Sequence, residues 1–274
     1  MRLLLDGQFF GISQLDDAWY VFQRLSCWSG RIIRFTLSSE GMVDAMQVIT
    51  RISPGCHQID FLGRTLYITD TYNNRLLVYE QSGRRWNRIS EHFPGGRLDR
   101  GRDSANYAHM NSIWRSDDGI WLMFHNETKK TGRNSELICV DSNHDVIERL
   151  STNASNSHNL VRLDGRFLYC DSLRGALVHG DEIVYQGQLF TRGLAVTDNL
   201  VVVGQSQYGA REKRDQLGGS IAILDRNFKL LQQIETPGMV QDIRAVGVID
   251  YAMSDTVAGN ATTPSATSPV HGVQ

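Results

Sequence analysis

The sequence predicts an all-β chain, a six-bladed β-propeller with four-stranded antiparallel blades, on three observations. A short unit recurs six times. Each copy is built from brief apolar strands separated by turn residues. The repeat period of roughly 35 to 50 residues is that of propeller arrays. Each unit opens with a polar or aromatic residue two before an aliphatic one, runs through a hydrophobic strand, turns, and ends a second strand on a polar residue about 13 positions after its start.

The units follow in order. Phe10-Gly11-Ile12 leads to Trp19-Tyr20-Val21 and Gln23. His57-Gln58-Ile59 leads to Leu66-Tyr67-Ile68 and Asp70. Asn111-Ser112-Ile113 leads to Trp121-Leu122-Met123 and His125. His158-Asn159-Leu160 leads to Leu168-Tyr169 and Asp171. Arg192-Gly193-Leu194 leads to Val201-Val202-Val203 and Gln205. The faintest copy, Gln241-Asp242-Ile243, leads to Ile249-Asp250-Tyr251. Units two to five each continue with two further strands, such as Arg75 to Tyr79 with Trp86 to Ile89, or Ser220 to Leu224 with Lys229 to Ile234. Gln81-Ser82-Gly83 and Asp225-Arg226-Asn227 are typical of the turns between them. The sixth unit lacks outer strands, and Arg2 to Leu5 is expected to supply one and close the ring, removing an exposed edge.

Composition sets the limits. The chain has 274 residues, 41% of them hydrophobic, enough for one large domain over residues 1–256, followed by an Ala/Thr/Ser/Pro/Gly-rich tail over 257–274 read as disordered. A net charge of −2 and a pI near 6.4 provide no basic footprint for nucleic acid. No apolar run approaches the ~20 residues of a membrane span, so no membrane partner is expected. The apolar start stops at Asp6, short of a secretion signal. Cys27, Cys56, Cys139 and Cys170 form no Cys-x-x-Cys pair, and a cytoplasmic chain with reduced thiols is the expectation.

In a blade of this kind the innermost strand starts at the face where the second strand ends. The unit starts therefore ring one channel mouth. His57, His158, Arg192, Gln241 and Asn111 are placed there, with His109 two residues ahead of Asn111. Asp70, His125, Asp171 and Gln205 fall just outside, where carboxylates can orient imidazole N–H groups. His57, His109 and His158 make a candidate site for a divalent metal ion. Arg192 suits an anionic group and His125 a proton transfer, while Asn111, Gln205, Gln241 and Arg211 are candidate substrate contacts. The same ring also suits a hydrated channel in which each histidine bonds only a neighbour, and Asp70 also suits a turn. Two segments interrupt the pattern, Glu91 to Tyr107 and Ser206 to Gly219. Hydrolase elbows, phosphate loops, dinucleotide fingerprints and helical zinc motifs are absent.

The stretch Tyr67-Ile68-Thr69-Asp70-Thr71-Tyr72-Asn73-Asn74-Arg75-Leu76 resembles an NHL-type propeller repeat. Roughly residues 50 to 246 resemble a family of uncharacterised bacterial propeller-like proteins, a domain of unknown function. His109-Met110-Asn111-Ser112-Ile113 is similar to its His-x-Asn-Gly-Leu stretch, with Ser112 where the family has glycine. Ser157-His158-Asn159-Leu160 resembles its His-Ser-Pro-Arg stretch without the proline. Arg192-Gly193-Leu194-Ala195, Val203-Gly204-Gln205-Ser206 and Arg211-Glu212 are similar to its Arg-Gly-Leu-Ala, Val-Gly-Leu-Ser and Arg-Glu. The resemblance supports these site residues as a set and implies no reaction.

Two functions follow as expectations. The first is an enzyme, a metal-dependent lyase, epimerase or hydrolase acting on an anionic, carbohydrate-like small molecule or glycan. The alternative is a non-catalytic binding or scaffold module for a protein or glycan partner.

Overall fold

A computed structural model describes residues 2–207, 209 and 217–254. It contains five four-stranded antiparallel sheets, each made of consecutive strands. The first blade comprises β1 (Gln8–Leu15), β2 (Ala18–Arg24), β3 (Gly30–Ser38) and β4 (Gly41–Ile52). The second comprises β5 (Cys56–Leu62), β6 (Thr65–Asp70), β7 (Arg75–Ser82) and β8 (Arg85–His92). The third comprises β9 (Met110–Ser116), β10 (Gly119–Phe124), β11 (Glu136–Val140) and β12 (Val146–Ser151). The fourth comprises β13 (His158–Leu163), β14 (Arg166–Asp171), β15 (Ala176–His179) and β16 (Glu182–Gln186). The fifth comprises β17 (Phe190–Val196), β18 (Leu200–Ser206), β19 (Gly219–Asp225) and β20 (Leu230–Thr236).

The propeller therefore has five blades among the described residues, which corrects the expected six. The sixth repeat is present only as a strap over residues 238–254 that carries no strand. Residues 2–5, expected to close the ring as a strand, form none. Between Ile243 and Ile249 the strap offers only Ala245, Val246 and Val248 as aliphatic side chains, and both valines are exposed. Such a segment has no apolar face to place against a neighbouring blade. The expected tail, 257–274, lies outside the described residues.

The strap nevertheless occupies the sixth position at the axis. Asp242 Oδ2 accepts from Ile12 N of β1 at 3.1 Å, and Arg244 Nε donates to Ile12 O at 2.9 Å. On the other side Tyr251 N donates to Val196 O of β17 at 2.7 Å, and Arg244 Nη1 to Leu194 O at 3.3 Å. Its end crosses beneath the inner strands. Trp114 Nε1 donates to Tyr251 O, and Ser254 donates through both N and Oγ to Asp60 Oδ2. Ala252 joins the core between blades three to five, and Met253 packs with Trp19, Val21, Ile33 and Phe35 of blade one.

The inner strands explain why the unit starts look alike. Each carries a β-bulge near its first residues, between Phe10 and Ile12, Cys56 and Ile59, His158 and Leu160, and Thr191 and Leu194, with β9 irregular at Asn111. A bulge leaves a residue unpaired and re-aims its side chain. Here the freed side chains latch onto the next blade. Gln58 donates to Ile113 O and accepts from Ile113 N, both at 3.0 Å. Asn111 Nδ2 donates to Ser157 O at 2.8 Å, and Gly193 N donates to Asn159 Oδ1 at 2.7 Å. Apolar residues between the blades do the rest, with Trp114 and Trp121 buried as core aromatics. Cys139 and Cys170 are buried free thiols.

At Gly11 the latch is replaced by contact. Its φ is +56°, and a Cβ there would lie 2.6 Å from both Gln58 Cα and Ile59 N. The neighbouring atoms are backbone, so they cannot swing aside. Gly11→Ala is expected to cost about 2–4 kcal/mol from strain plus overpacking. Urea titration measures it, and a loss below about 0.5 kcal/mol would mean that the two blades part freely.

Candidate functional site at the channel mouth

Four imidazoles meet where the inner strands begin. His57 sits in the β5 bulge and His158 opens β13. His109 precedes β9 with a left-handed backbone, φ +56°, and His125 follows β10. Asn74 fixes the unusual His109 backbone, its Oδ1 accepting from Ala108 N at 3.1 Å and His109 N at 3.2 Å. Asn74 is fully buried and itself left-handed, φ +50°, a conformation that asparagine tolerates better than most residues.

His57, His109 and His158 each place one ring nitrogen within 4.8 Å of the others. Nε2 of His109 lies 3.3 Å from Nε2 of His57. His125 stacks on His109 with ring centres 3.6 Å apart and lies 5.4 Å from His158. His125 and His158 are buried; His57 and His109 keep part of their surface exposed.

The outer nitrogens are held. His57 Nδ1 lies 3.2 Å from Gly55 O, a carbonyl that only accepts, so the proton sits on Nδ1 and Nε2 presents a lone pair. His109 Nε2 must then donate to it, and Tyr107 Oη donates to His109 Nδ1 at 3.0 Å. Glu127 Oε1 stands 3.7 Å from the same Nδ1. His158 Nδ1 pairs with Ser172 Oγ at 2.9 Å. His125 Nδ1 accepts from Glu127 N at 2.9 Å, which puts the proton of the neutral ring on Nε2.

All of this favours neutral rings. Burial pushes His57 well below the usual imidazole range, helped by the Arg192 charge and by His109 and His158. His158 is lowered by burial, then Arg192, then His125 and His109. Burial and then His109 lower His125, against an opposing pull from Glu127. Arg192 lies in the β17 bulge, buried, with its guanidinium carbon 5.6 Å from the centre of the Phe10 ring. Phe10 in turn lies 5.9 Å from the His57 ring.

Other expected site residues serve the scaffold. Asn111 is latched to blade four as described, and Ser112 Oγ donates to its Oδ1. Gln205 is buried, accepts from Gln188 N and donates to Tyr185 Oη. Asp70 pairs with Arg75 at 2.6 Å and takes Asn73 Nδ2, as a turn residue does. Asp171 accepts from Ser155 N and faces Arg174. The groups behind the imidazoles are therefore Tyr107, Glu127, Ser172 and the Gly55 carbonyl, where the sequence pointed to second-strand carboxylates. Gln241 Oε1 is buried and finds no hydrogen-bond partner among the described residues. Arg211 lies outside the described residues.

No protein-family model and no curated protein matches the chain. The family resemblance and the NHL-type repeat therefore gain no support from comparison. Solved structures match the fold. A nidogen/laminin complex matches at TM-score 0.61 and 13% identity, over 86% of this chain and 84% of that one. A luciferin-regenerating enzyme matches at TM-score 0.60 and 9% identity, over 85% and 78%. A protein of unknown function from Bacteroides caccae matches at TM-score 0.56 and 12% identity, over 88% and 87%. At such identities the likeness is one of propeller fold and carries no activity across.

Proposed function

We propose that the protein is an enzyme acting on an anionic, carbohydrate-like small molecule in the channel mouth, with a divalent metal ion held by His57, His109 and His158. The observation that carries this reading is the arrangement of the three rings. Each is held at Nδ1, and the ring nitrogens converge. Orientation of ligating imidazoles through their second nitrogen is the usual support of a metal centre.

The residues fit such an ion. Ligands at about 2.0–2.1 Å in a tetrahedron stand roughly 3.3–3.4 Å apart. The His57 and His109 nitrogens already stand at 3.3 Å. The widest separation allowed by the cluster is 4.8 Å, so closing it needs a shift of about 1.5 Å at most. His109 would have to move its proton from Nε2 to Nδ1. Glu127, 3.7 Å from that Nδ1, is placed to accept it as a hydrogen bond. A bound divalent ion supplies Lewis-acid polarisation of a substrate oxygen. Arg192 binds the anionic group, and His125, protonated on Nε2 in its neutral form, exchanges a proton there with the reacting molecule. Lyase, epimerase and hydrolase chemistry all use these parts.

A second reading rests on Arg192 itself. Its charge already disfavours protonation of His57 and His158, and it works equally against a cation. In that reading neutral imidazoles carry out acid–base chemistry without metal on an anion held by Arg192. Elemental analysis of protein purified without an affinity tag separates the two. Near-stoichiometric metal, lost in the His57→Ala/His109→Ala/His158→Ala variant, is the expected result. No uptake after incubation with zinc, manganese or iron(II) leaves the metal-free reading.

A further inference from the structure

The two faces of the disc carry opposite charge. In every blade the first and second strands, and the third and fourth, are joined on the side away from the histidines. The other connections lie on the side where His57, His109, His125 and His158 stand. The ten far-side turns hold ten acidic residues against four basic ones, Arg64, Arg84, Arg226 and Lys229. Seven of these turns contain an acid, as Asp16-Asp17 and Asp117-Asp118 do, and every such acid except Asp141 is exposed. On the mouth side the sign reverses. Among the described residues its connections between strands hold seven exposed basic residues against Asp99, Asp103 and Glu127. We propose that this polarity is an electrostatic funnel, which draws a small molecule with two or more negative charges to the histidine mouth and turns it away from the opposite face. The inference rests on the histidine cluster being the reaction site.

The excess does not depend on any side chain being unpaired. Both signs are counted in full. Pairs such as Arg64 with Asp16 at 3.2 Å, or Lys130 with Glu127 at 3.7 Å, cancel within their own face and leave the remainder. Charges on the strands lie between the faces. Most of the β18–β19 connection lies outside the described residues, and its sequence holds Arg211, Lys213 and Arg214 against Glu212 and Asp215. A formal net charge of −2 for the chain thus hides two unlike faces.

The fold aims the positive excess at the imidazoles. Arg97, Arg100 and Arg102 lie between β8 and β9, and Lys129, Lys130 and Arg133 between β10 and β11. The same two connections carry His109 and His125. They are tied together, Arg133 Nη2 donating to Tyr107 O at 3.1 Å and Asn126 N to Ala108 O at 2.9 Å. The far end of the axis is instead occupied by the strap, where Ser254 bonds the buried Asp60 carboxylate. A rim of one sign above low-dielectric walls focuses the field and speeds the arrival of counter-ions by roughly ten- to a thousandfold. The effect scales with ligand charge, so a dianion gains more than a monoanion.

Surface thiols read the two faces. Cys27 is exposed in the β2–β3 connection on the mouth side, while Cys56, Cys139 and Cys170 are buried. Asn199→Cys and Ser142→Cys, each in a Cys27→Ser background, place a thiol in an exposed far-side turn. Each thiol is labelled with dianionic 5,5′-dithiobis(2-nitrobenzoate) and with neutral 2,2′-dithiodipyridine, with chelator present. The ratio of the two rates removes differences in thiol reactivity. At about 10 mM ionic strength, where fields reach about 30 Å, the ratio at Cys27 is expected to stand about threefold or more above that of either far-side thiol. At about 1 M, where the reach is about 3 Å, the Cys27 ratio should fall, the far-side ratios rise, and the three meet. Lys129→Gln/Lys130→Gln, on the blade-three side of the mouth, should lower the Cys27 ratio at low salt by about half. Equal ratios on the two faces overturn the funnel. So does a Cys27 ratio indifferent to the two lysines, because arginines near Cys27 would then act alone. The labelling involves no metal and no ligand, so its failure would leave the metal analysis standing, and a metal-free protein would leave the labelling result standing.

Discussion

Arg244→Ala is expected to lower the unfolding free energy by about 3–5 kcal/mol. The side chain is 2% exposed. It donates to Ile12 O, Leu194 O, Ile243 O and Asp242 Oδ1, and so spans the junction between blades one and five. Asp242, Asp250 and Asp60 all act on its charge. Burial pushes Asp242 and Asp60 up, and Arg244 is the main force holding each down. Without the guanidinium, Asp242 and Asp60 lose the main force that holds them down, and their cheapest response is to take up protons. The deficit should therefore narrow at acid pH, as those carboxylates protonate in the folded variant. Urea titrations at pH 7 and pH 5 measure both effects. A loss under about 1 kcal/mol at pH 7 would show that the strap does not lock the ring.

The second large effect is a fall in stability just below neutral pH. His57, His125 and His158 are all lowered well below 6.5, chiefly by burial. As pH falls through about 6.5 the unfolded chain takes up protons that the folded chain refuses. Their contribution is thus complete above about 6.5 and is lost progressively toward the depressed folded values. Each ring adds up to about 1.4 kcal/mol per pH unit, so three give a slope on the order of 3–4, allowing for the partial exposure of His57. His92 and His144, stacked at 3.8 Å and both lowered by burial, add in the same direction. Asp60, Asp171 and Asp242 are raised and act with the opposite sign at lower pH, as the folded state binds their protons first. Denaturation at pH 7.5, 6.5 and 5.5 with chelator present checks this. The double variant His125→Gln/His158→Gln should flatten the slope by about half or more. A wild-type slope below about 1 kcal/mol per pH unit would mean that the rings are already protonated or open to water.

The strands were legible because apolar alternation and turn residues reflect backbone pairing directly. Glu136–Val140 and Leu200–Ser206 follow from their Val/Ile/Leu runs. The blade count was not, because Gln241-Asp242-Ile243 has the signature of an inner-strand start yet lacks the outer partners a sheet needs. That signature marks a latch at the axis, which a strap makes as well as a strand does. His57 and His158 were readable from their shared place in the repeat, His109 from standing two residues ahead of such a place, and His125 from the end of its second strand. Asn111 and Gln205 share those places but spend their amides on neighbouring groups, Ser157 O and Ser112 Oγ for the first, Gln188 N and Tyr185 Oη for the second. Tyr107 and Glu127 lie in connections whose path no periodicity dictates, and Arg102 belongs to the irregular Gly/Arg/Asp-rich stretch.

The strap also sets an order of events during synthesis. Every sheet is made of neighbouring strands, so each can pair as soon as its own residues leave the ribosome. The hydrogen bonds by which the strap ties blade one to blade five come from Asp242 and Arg244, 230 and 232 residues after Ile12. A nascent chain that has finished β20 is thus an open crescent, with the flank of blade one bare where Met253 will pack. Emergence of the strap converts that crescent into a ring, and a chain truncated after Thr236 should be one that chaperones recognise.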